Sequence, residues 1–132
     1  MSTIDVLWLE DQPKEDFKKL AKNKKFNINL ILVSTADEAL TYIDKNIKQL
    51  NGAILDARGH RKQGDQLGEK GLYDVIGKLK SYSRERPIHV AVFTGQEDLL
   101  KREGFEDSVH YKLFRKNRDE MDVLSYISEE AK

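Results

Sequence analysis

The chain has 132 residues, the size of one domain able to bury a core without covalent staples. Its 23 basic and 23 acidic side chains cancel, so no global field draws it to nucleic acid or to an anionic membrane. Cysteine is absent, which excludes disulfides, thiolate metal sites and cysteine catalysis. The beginning of the chain meets acid at Asp5, Glu10 and Asp11; it lacks the basic start and apolar run of a signal peptide, and no segment is built to span a bilayer. The expectation is a cytoplasmic protein of a single domain over residues 1–132.

The first strand is expected over Ile4 to Leu9, apolar on both faces as in a strand covered by helices on each side, with Trp8 in the core. Pro13 suits a first helical position, and Phe17, Leu20 and Ala21 recur at helical spacing in a helix ending near Lys25. Ile28 to Val33 reads as the second strand. Ser34-Thr35 followed by Glu38 is a capping-box signature, opening a helix that buries Ala36, Ala39, Leu40, Ile43 and Ile47.

Within Asn51-Gly-Ala-Ile-Leu-Asp56-Ala-Arg58 an apolar run ends in one carboxylate, which predicts a buried third strand with Asp56 at its C-terminal mouth. The stretch from Ala57 to Gly71 holds four glycines and no apolar period, which marks a loop. Leu72, Val75, Ile76 and Leu79 restart helical spacing, and Pro87 closes the connection to a fourth strand, Ile88 to Thr94. Gln96 to Glu103 suits a short helix stopped by Gly104. Ser108 to Tyr111 reads as the fifth strand, finishing on the Lys112 ammonium, and Asn117 with Glu120 opens a last helix that buries Val123, Leu124 and Ile127.

Five βα units in succession predict an α/β fold: a single doubly wound (βα)5 flavodoxin-like domain, with a parallel five-stranded sheet of order 2-1-3-4-5 and helices on both faces. Ligands of such sheets bind outside the carboxyl ends of the strands, at the switch point. Four strands end there on reactive groups: Glu10-Asp11, Asp56, Thr94 and Lys112. Clustered carboxylates repel one another and call for a hard divalent cation with oxygen ligands, of which Mg²⁺ is the natural choice. His60, His89 and His110 share no metal-ligand spacing.

This ordered set, an acid pair, a lone Asp, a Thr and a Lys at strand ends, resembles the receiver domain of two-component response regulators, and the resemblance spans nearly the whole chain. It implies a phosphoacceptor signalling domain and not an enzyme with turnover. Asp56 would take the phosphoryl group, with Asp11 and Asp56 ligating Mg²⁺ directly, Glu10 acting through a bound water and the Arg58 backbone carbonyl adding an oxygen. Thr94 and Lys112 would contact the phosphoryl oxygens. The implied partners are a sensor histidine kinase or phosphotransfer protein and a downstream protein target or output domain, with homodimerisation on phosphorylation as a further expectation, and neither nucleic acid nor membrane bound directly. Such a domain would stand alone or form part of a longer regulator or hybrid kinase.

Three departures from the family stand out. The segment from Asp56 to Thr94 is several residues longer than usual, the excess falling in a loop where Arg58, His60, Arg61, Lys62 and Lys70 replace the family's Met-Pro and Asp-Gly turn. Lys112 is followed by Leu113 where proline is usual, leaving Lys116 as the second candidate for that lysine. Val109 stands three residues before Lys112, where many members carry an aromatic switch residue. The competing reading is a pseudo-receiver, an interaction module that works without phosphorylation. Haloacid-dehalogenase chemistry wants a second acid two residues after the nucleophile, where this chain has Arg58, which cannot serve as a general acid. A flavodoxin's phosphate loop would meet Glu10-Asp11 after the first strand.

Overall fold

The computed structural model describes residues 3–10, 13–56, 69–94, 111–116 and 118–130. Its strands are β1 (Ile4–Leu9), β2 (Ile28–Val33), β3 (Leu50–Leu55), β4 (His89–Thr94) and β5 (Lys112–Arg115). Its helices are α1 (Glu15–Ala21), α2 (Ala36–Asn46), α3 (Glu69–Tyr82) and α4 (Glu120–Glu130). The strands form one five-stranded sheet in the order β2-β1-β3-β4-β5, every neighbouring pair parallel. The doubly wound architecture expected from the alternation of strand and helix is thus observed.

Each strand alternates its side chains between two apolar clusters, one on each face of the sheet. Leu7, Leu9, Ala53, Leu55, Val90 and Val92 meet α2 and α3 through Ala36, Ala39, Ile43, Leu72, Val75 and Leu79. On the opposite face Val6, Trp8, Ile54, Ala91 and Phe93 meet α1 and α4 through Phe17, Ala21, Val123, Leu124 and Ile127. This two-sided burial is why β1, β3 and β4 read as continuous apolar runs rather than as alternating ones.

Local signals set most boundaries. The Thr35 side chain accepts the Glu38 N–H at 3.2 Å, the N-cap half of the predicted capping box, and its hydroxyl donates to the Glu38 carboxylate in place of the second, backbone bond. The first helix is shorter than its periodicity suggests: it begins at Glu15 after Lys14, leaves Pro13 outside and stops at Ala21. The third helix begins at Glu69, so the glycine-rich segment yields its last three residues to helix. The sequence-predicted helix from Gln96 to Glu103 lies outside the described residues.

The fifth strand corrects the sequence reading. It runs from Lys112 to Arg115 instead of ending at Lys112, and pairs Ala91 with Lys112 and Thr94 with Arg115. At about 3.3 Å per residue, Lys112 therefore sits roughly 10 Å before the end of the strand. The physical reason is the side-chain alternation from Tyr111 onward. Tyr111 and Leu113 pack against the α2–α3 cluster, while Phe114 packs against the α1–α4 cluster.

Two contacts fix the strands that carry the site. The Arg86 guanidinium donates to the Ile47 carbonyl at 2.6 Å and to the Leu50 carbonyl, pinning the end of α2 and the start of β3. Gly52 lies so close to β4 that a Cβ there would come within 2.8 Å of the His89 carbonyl.

Candidate functional site

Leu9 of β1 pairs with Leu55 of β3, so the next residue on each strand arrives at the same level. The ladder continues one step beyond the strands: the Glu10 N–H donates to the Val33 carbonyl and the Asp56 N–H to the Leu9 carbonyl, each at 3.0 Å. Two carboxylates are thereby fixed side by side at the switch point, and both are buried, Glu10 to 3% and Asp56 to 7% exposure. Buried like charges on neighbouring strand ends need a countercharge.

Lys116 supplies it. Its ammonium donates to Asp56 Oδ2 at 3.0 Å and also to Glu10 Oε2. Burial opposes the charge on Lys116, but the Asp56 carboxylate and the hydrogen bond to Glu10 outweigh it and raise the lysine pKa above its ordinary value. Lys116 directly follows β5, and its position two residues beyond Phe114 places it on the same side of the strand, toward α1 and α4.

Lys112 does not occupy this place. It is exposed at the opening of β5, with its ammonium 5.9 Å from the centre of the Tyr126 ring on α4. The sequence expectation that Lys112 lies among the carboxylates is therefore corrected to Lys116. Val109 lies outside the described residues. The decisive signal was present in the sequence: Tyr111, Leu113 and Phe114 continue the strand past Lys112.

The remaining expected site residues are only partly placed. Asp11 and Arg58 lie outside the described residues, as does the basic segment that follows Asp56. The backbone of Thr94 ends β4, beside Arg115 of β5. Among the described residues no group of three or more His, Cys, Asp and Glu is gathered closely enough to hold a metal ion. The donors that are placed, Glu10 and Asp56, offer carboxylate oxygens alone, and Asp11 follows Glu10 in the chain. That chemistry fits a hard divalent cation and not a soft one.

Beside the carboxylates lies a cavity of about 40 Å³. Its floor is aromatic: Trp8, Phe17 and Phe93, with ring centroids 5.3 Å apart for Trp8–Phe17 and 5.2 Å for Phe17–Phe93. Glu10 and Lys116 form its inner wall. The lysine stem thus runs along apolar surface while its charged end meets the carboxylates.

No protein-family model matches the sequence, and no curated protein matches it either. Solved structures do match, over almost the entire chain. The signal receiver domain of the putative response regulator NarL from Mycobacterium tuberculosis superposes with a TM-score of 0.68 at 17% identity, covering 99% of this chain and 98% of its own. This protein has the receiver-domain fold. A receiver domain of a sensor histidine kinase from Pseudomonas aeruginosa PAO1, with magnesium ion coordinated in its active-site cleft, matches with a TM-score of 0.67 at 10% identity, covering 98% of each chain. The phosphorylated cyanobacterial phytochrome response regulator RcpA matches with a TM-score of 0.61 at 16% identity, covering 97% of this chain and 91% of its own. In this receiver fold, Glu10, Asp56 and Lys116 stand together at the carboxyl edge of the sheet.

Proposed function

We propose that the chain is a response regulator receiver domain that accepts a phosphoryl group on Asp56 from a histidine kinase, a phosphotransfer protein or a small phosphodonor. The observation that carries this reading is the contact of one lysine, Lys116, with two buried carboxylates from adjacent strand ends. Such a set combines a nucleophilic oxygen with an ammonium positioned to meet the charge that a transferring phosphoryl group brings.

In this reading an Asp56 carboxylate oxygen forms a bond to phosphorus as the bond from phosphorus to the donor's imidazole nitrogen, or to the acetate oxygen of acetyl phosphate, breaks. The electron pair departs with the donor and Asp56 becomes an acyl phosphate. Lys116 exchanges its contact with the carboxylate for one with a phosphoryl oxygen, and Thr94 is proposed to donate its hydroxyl to another. Glu10, Asp11, Asp56 and the Arg58 carbonyl are the residues that would hold Mg²⁺, which when bound supplies countercharge to the phosphoryl oxygens.

The domain would act as a signalling element, its partners being the phosphodonor protein on one side and a target protein or output domain on the other, in the cytoplasm. No helix among the described residues is long and apolar enough to cross a membrane. A phosphorylation-independent interaction module is the second reading, favoured by the long basic segment after Asp56, which departs from the family pattern. Intact-mass spectrometry after incubation with acetyl phosphate and Mg²⁺ separates the two. One phosphoryl adduct on the wild type and none on Asp56→Asn is expected, whereas a wild type that takes up no phosphoryl group from several donors leaves the interaction module.

A further inference from the structure

The ammonium that joins Glu10 and Asp56 stands on a turn, between the last residue of β5 and the first of α4, and that turn contains no proline to stiffen it. A lysine side chain has four rotatable bonds, so its aim depends on how firmly the backbone beneath it is held. The backbone is clasped from both sides by one residue, Asp119. The Asp119 carboxylate accepts the Arg115 N–H at 2.8 Å, and the Asp119 N–H donates to the Arg115 carbonyl at 2.9 Å. These reciprocal bonds tie Asp119 to Arg115, the residue directly before Lys116.

The direction of the carboxylate is informative. Asp119 immediately precedes α4, and its carbonyl accepts the Val123 N–H at 2.9 Å in the first helical turn. An aspartate there ordinarily turns its side chain forward onto the helix N–H groups. Here one oxygen is turned back to the Arg115 N–H and the other accepts from the Arg118 guanidinium at 3.1 Å. The carboxylate is only 13% exposed, so this backward bond forms largely out of water.

We propose that Asp119 is the positioning residue of Lys116: it locks the β5–α4 turn so that the ammonium reaches Glu10 and Asp56. The functional sense of this role rests on the receiver reading, since a clasp on Lys116 also ties the state of Asp56 to the start of α4. Asp119 itself touches neither carboxylate and works through the backbone of Arg115.

Competitive amine labelling read by peptide mass spectrometry tests the clasp without reference to phosphorylation. An ammonium held between two carboxylates presents little free amine, so Lys116 should label more slowly than the exposed Lys112 in the wild type. Asp119→Ala should raise the Lys116 rate severalfold. Asp119→Ser, which keeps a residue favoured before a helix but shortens the reach to Arg115, should do the same. Asp119→Asn retains the acceptor and should stay near the wild type. Lys78, on α3, serves as the internal reference. A Lys116 rate unchanged in both Asp119→Ala and Asp119→Ser overturns the proposal, as does an equal rise at Lys78, which would mean general loosening.

Beryllofluoride binding with Mg²⁺, followed by ¹⁹F NMR, then links the clasp to the site. It should weaken in Asp119→Ala and recover in Asp119→Asn. A wild type that binds no beryllofluoride yet shows the expected labelling pattern rejects the phosphoacceptor reading while leaving the role of Asp119 in place.

Discussion

Lys116 and Asp56 are 60 residues apart in the chain, and the ammonium of one lies 3.0 Å from the carboxylate of the other. Removing the lysine takes away the ammonium that both buried carboxylates contact. Loss of one member of a buried ion pair costs about 3–5 kcal/mol, a figure that partial solvent access brings toward its lower end here. Lys116→Ala should therefore lower the urea-unfolding stability at neutral pH by roughly 3 kcal/mol. Lys112→Ala, which removes an exposed charge, should change stability by no more than about 0.5 kcal/mol. Equal effects of the two substitutions would contradict the placement of Lys116.

The pH dependence of stability has a defined sign at both ends. Lys116 holds its proton more tightly in the folded chain than the ordinary lysine value of 10.5 allows. Its contribution is complete below that value and disappears as pH rises through the higher folded-state value. Tyr42, raised by burial and by Asp5, and Tyr82, raised by its hydrogen bond to Asp44, act in the same sense above their ordinary 10.0. At the acid end Asp44, hydrogen-bonded by Lys78, is lowered. So is Asp119, where the Arg115 N–H and the Arg118 guanidinium overcome the opposing effect of burial. Their contributions are present above the ordinary 3.8 and are lost as pH falls through the folded-state values. Urea midpoints measured across pH should fall off above about pH 10 and below about pH 4, the alkaline fall being shallower in Lys116→Met.

Two glycines should respond oppositely to alanine. A Cβ on Gly52 would meet the His89 carbonyl at 2.8 Å, a backbone atom that cannot step aside without moving β4. Gly52→Ala should cost about 1–3 kcal/mol, as overpacking of a filled interior does. Gly77 lies within α3 with nothing within 4 Å of an added Cβ. Gly77→Ala should stabilise by about 0.5–1 kcal/mol through helix propensity. Thermal unfolding of both variants checks the pair.

Arg86 anchors the base of the strand that carries Asp56, through the Ile47 and Leu50 carbonyls. Arg86→Ala should cost about 1.5–3 kcal/mol, the range for hydrogen bonds to charged groups. Arg86→Lys should recover only part of it, because an ammonium lacks the planar array of donors. Denaturant unfolding of the two variants measures the difference.

The sheet was legible because four of its strands are short apolar runs with sharp polar ends, and the burial of Val6 to Leu9 and Ala53 to Leu55 leaves little room for another register. The positions of Glu10 and Asp56 followed directly from those ends. The fifth strand was less legible because it lies at the edge of the sheet, where burial is incomplete and lysine is tolerated within the strand. Lys112 looked like an end residue only because a charge interrupts the apolar pattern, whereas its contact with the Tyr126 ring accommodates that charge inside β5. The clasp of Asp119 on Arg115 was invisible in sequence, since an aspartate before a helix reads as an ordinary cap.

The countercharge at Glu10 and Asp56 is part of the polypeptide itself. Some small metal-binding domains depend on an ion from solution to fold, and a chelator then acts as a denaturant. In this chain Lys116 contacts both carboxylates once β5 is in place, so assembly of the sheet should not wait on a cation. A refolding experiment in the presence of EDTA should recover the native fold in full. Divalent ions would enter a finished structure, in competition with an ammonium already in place.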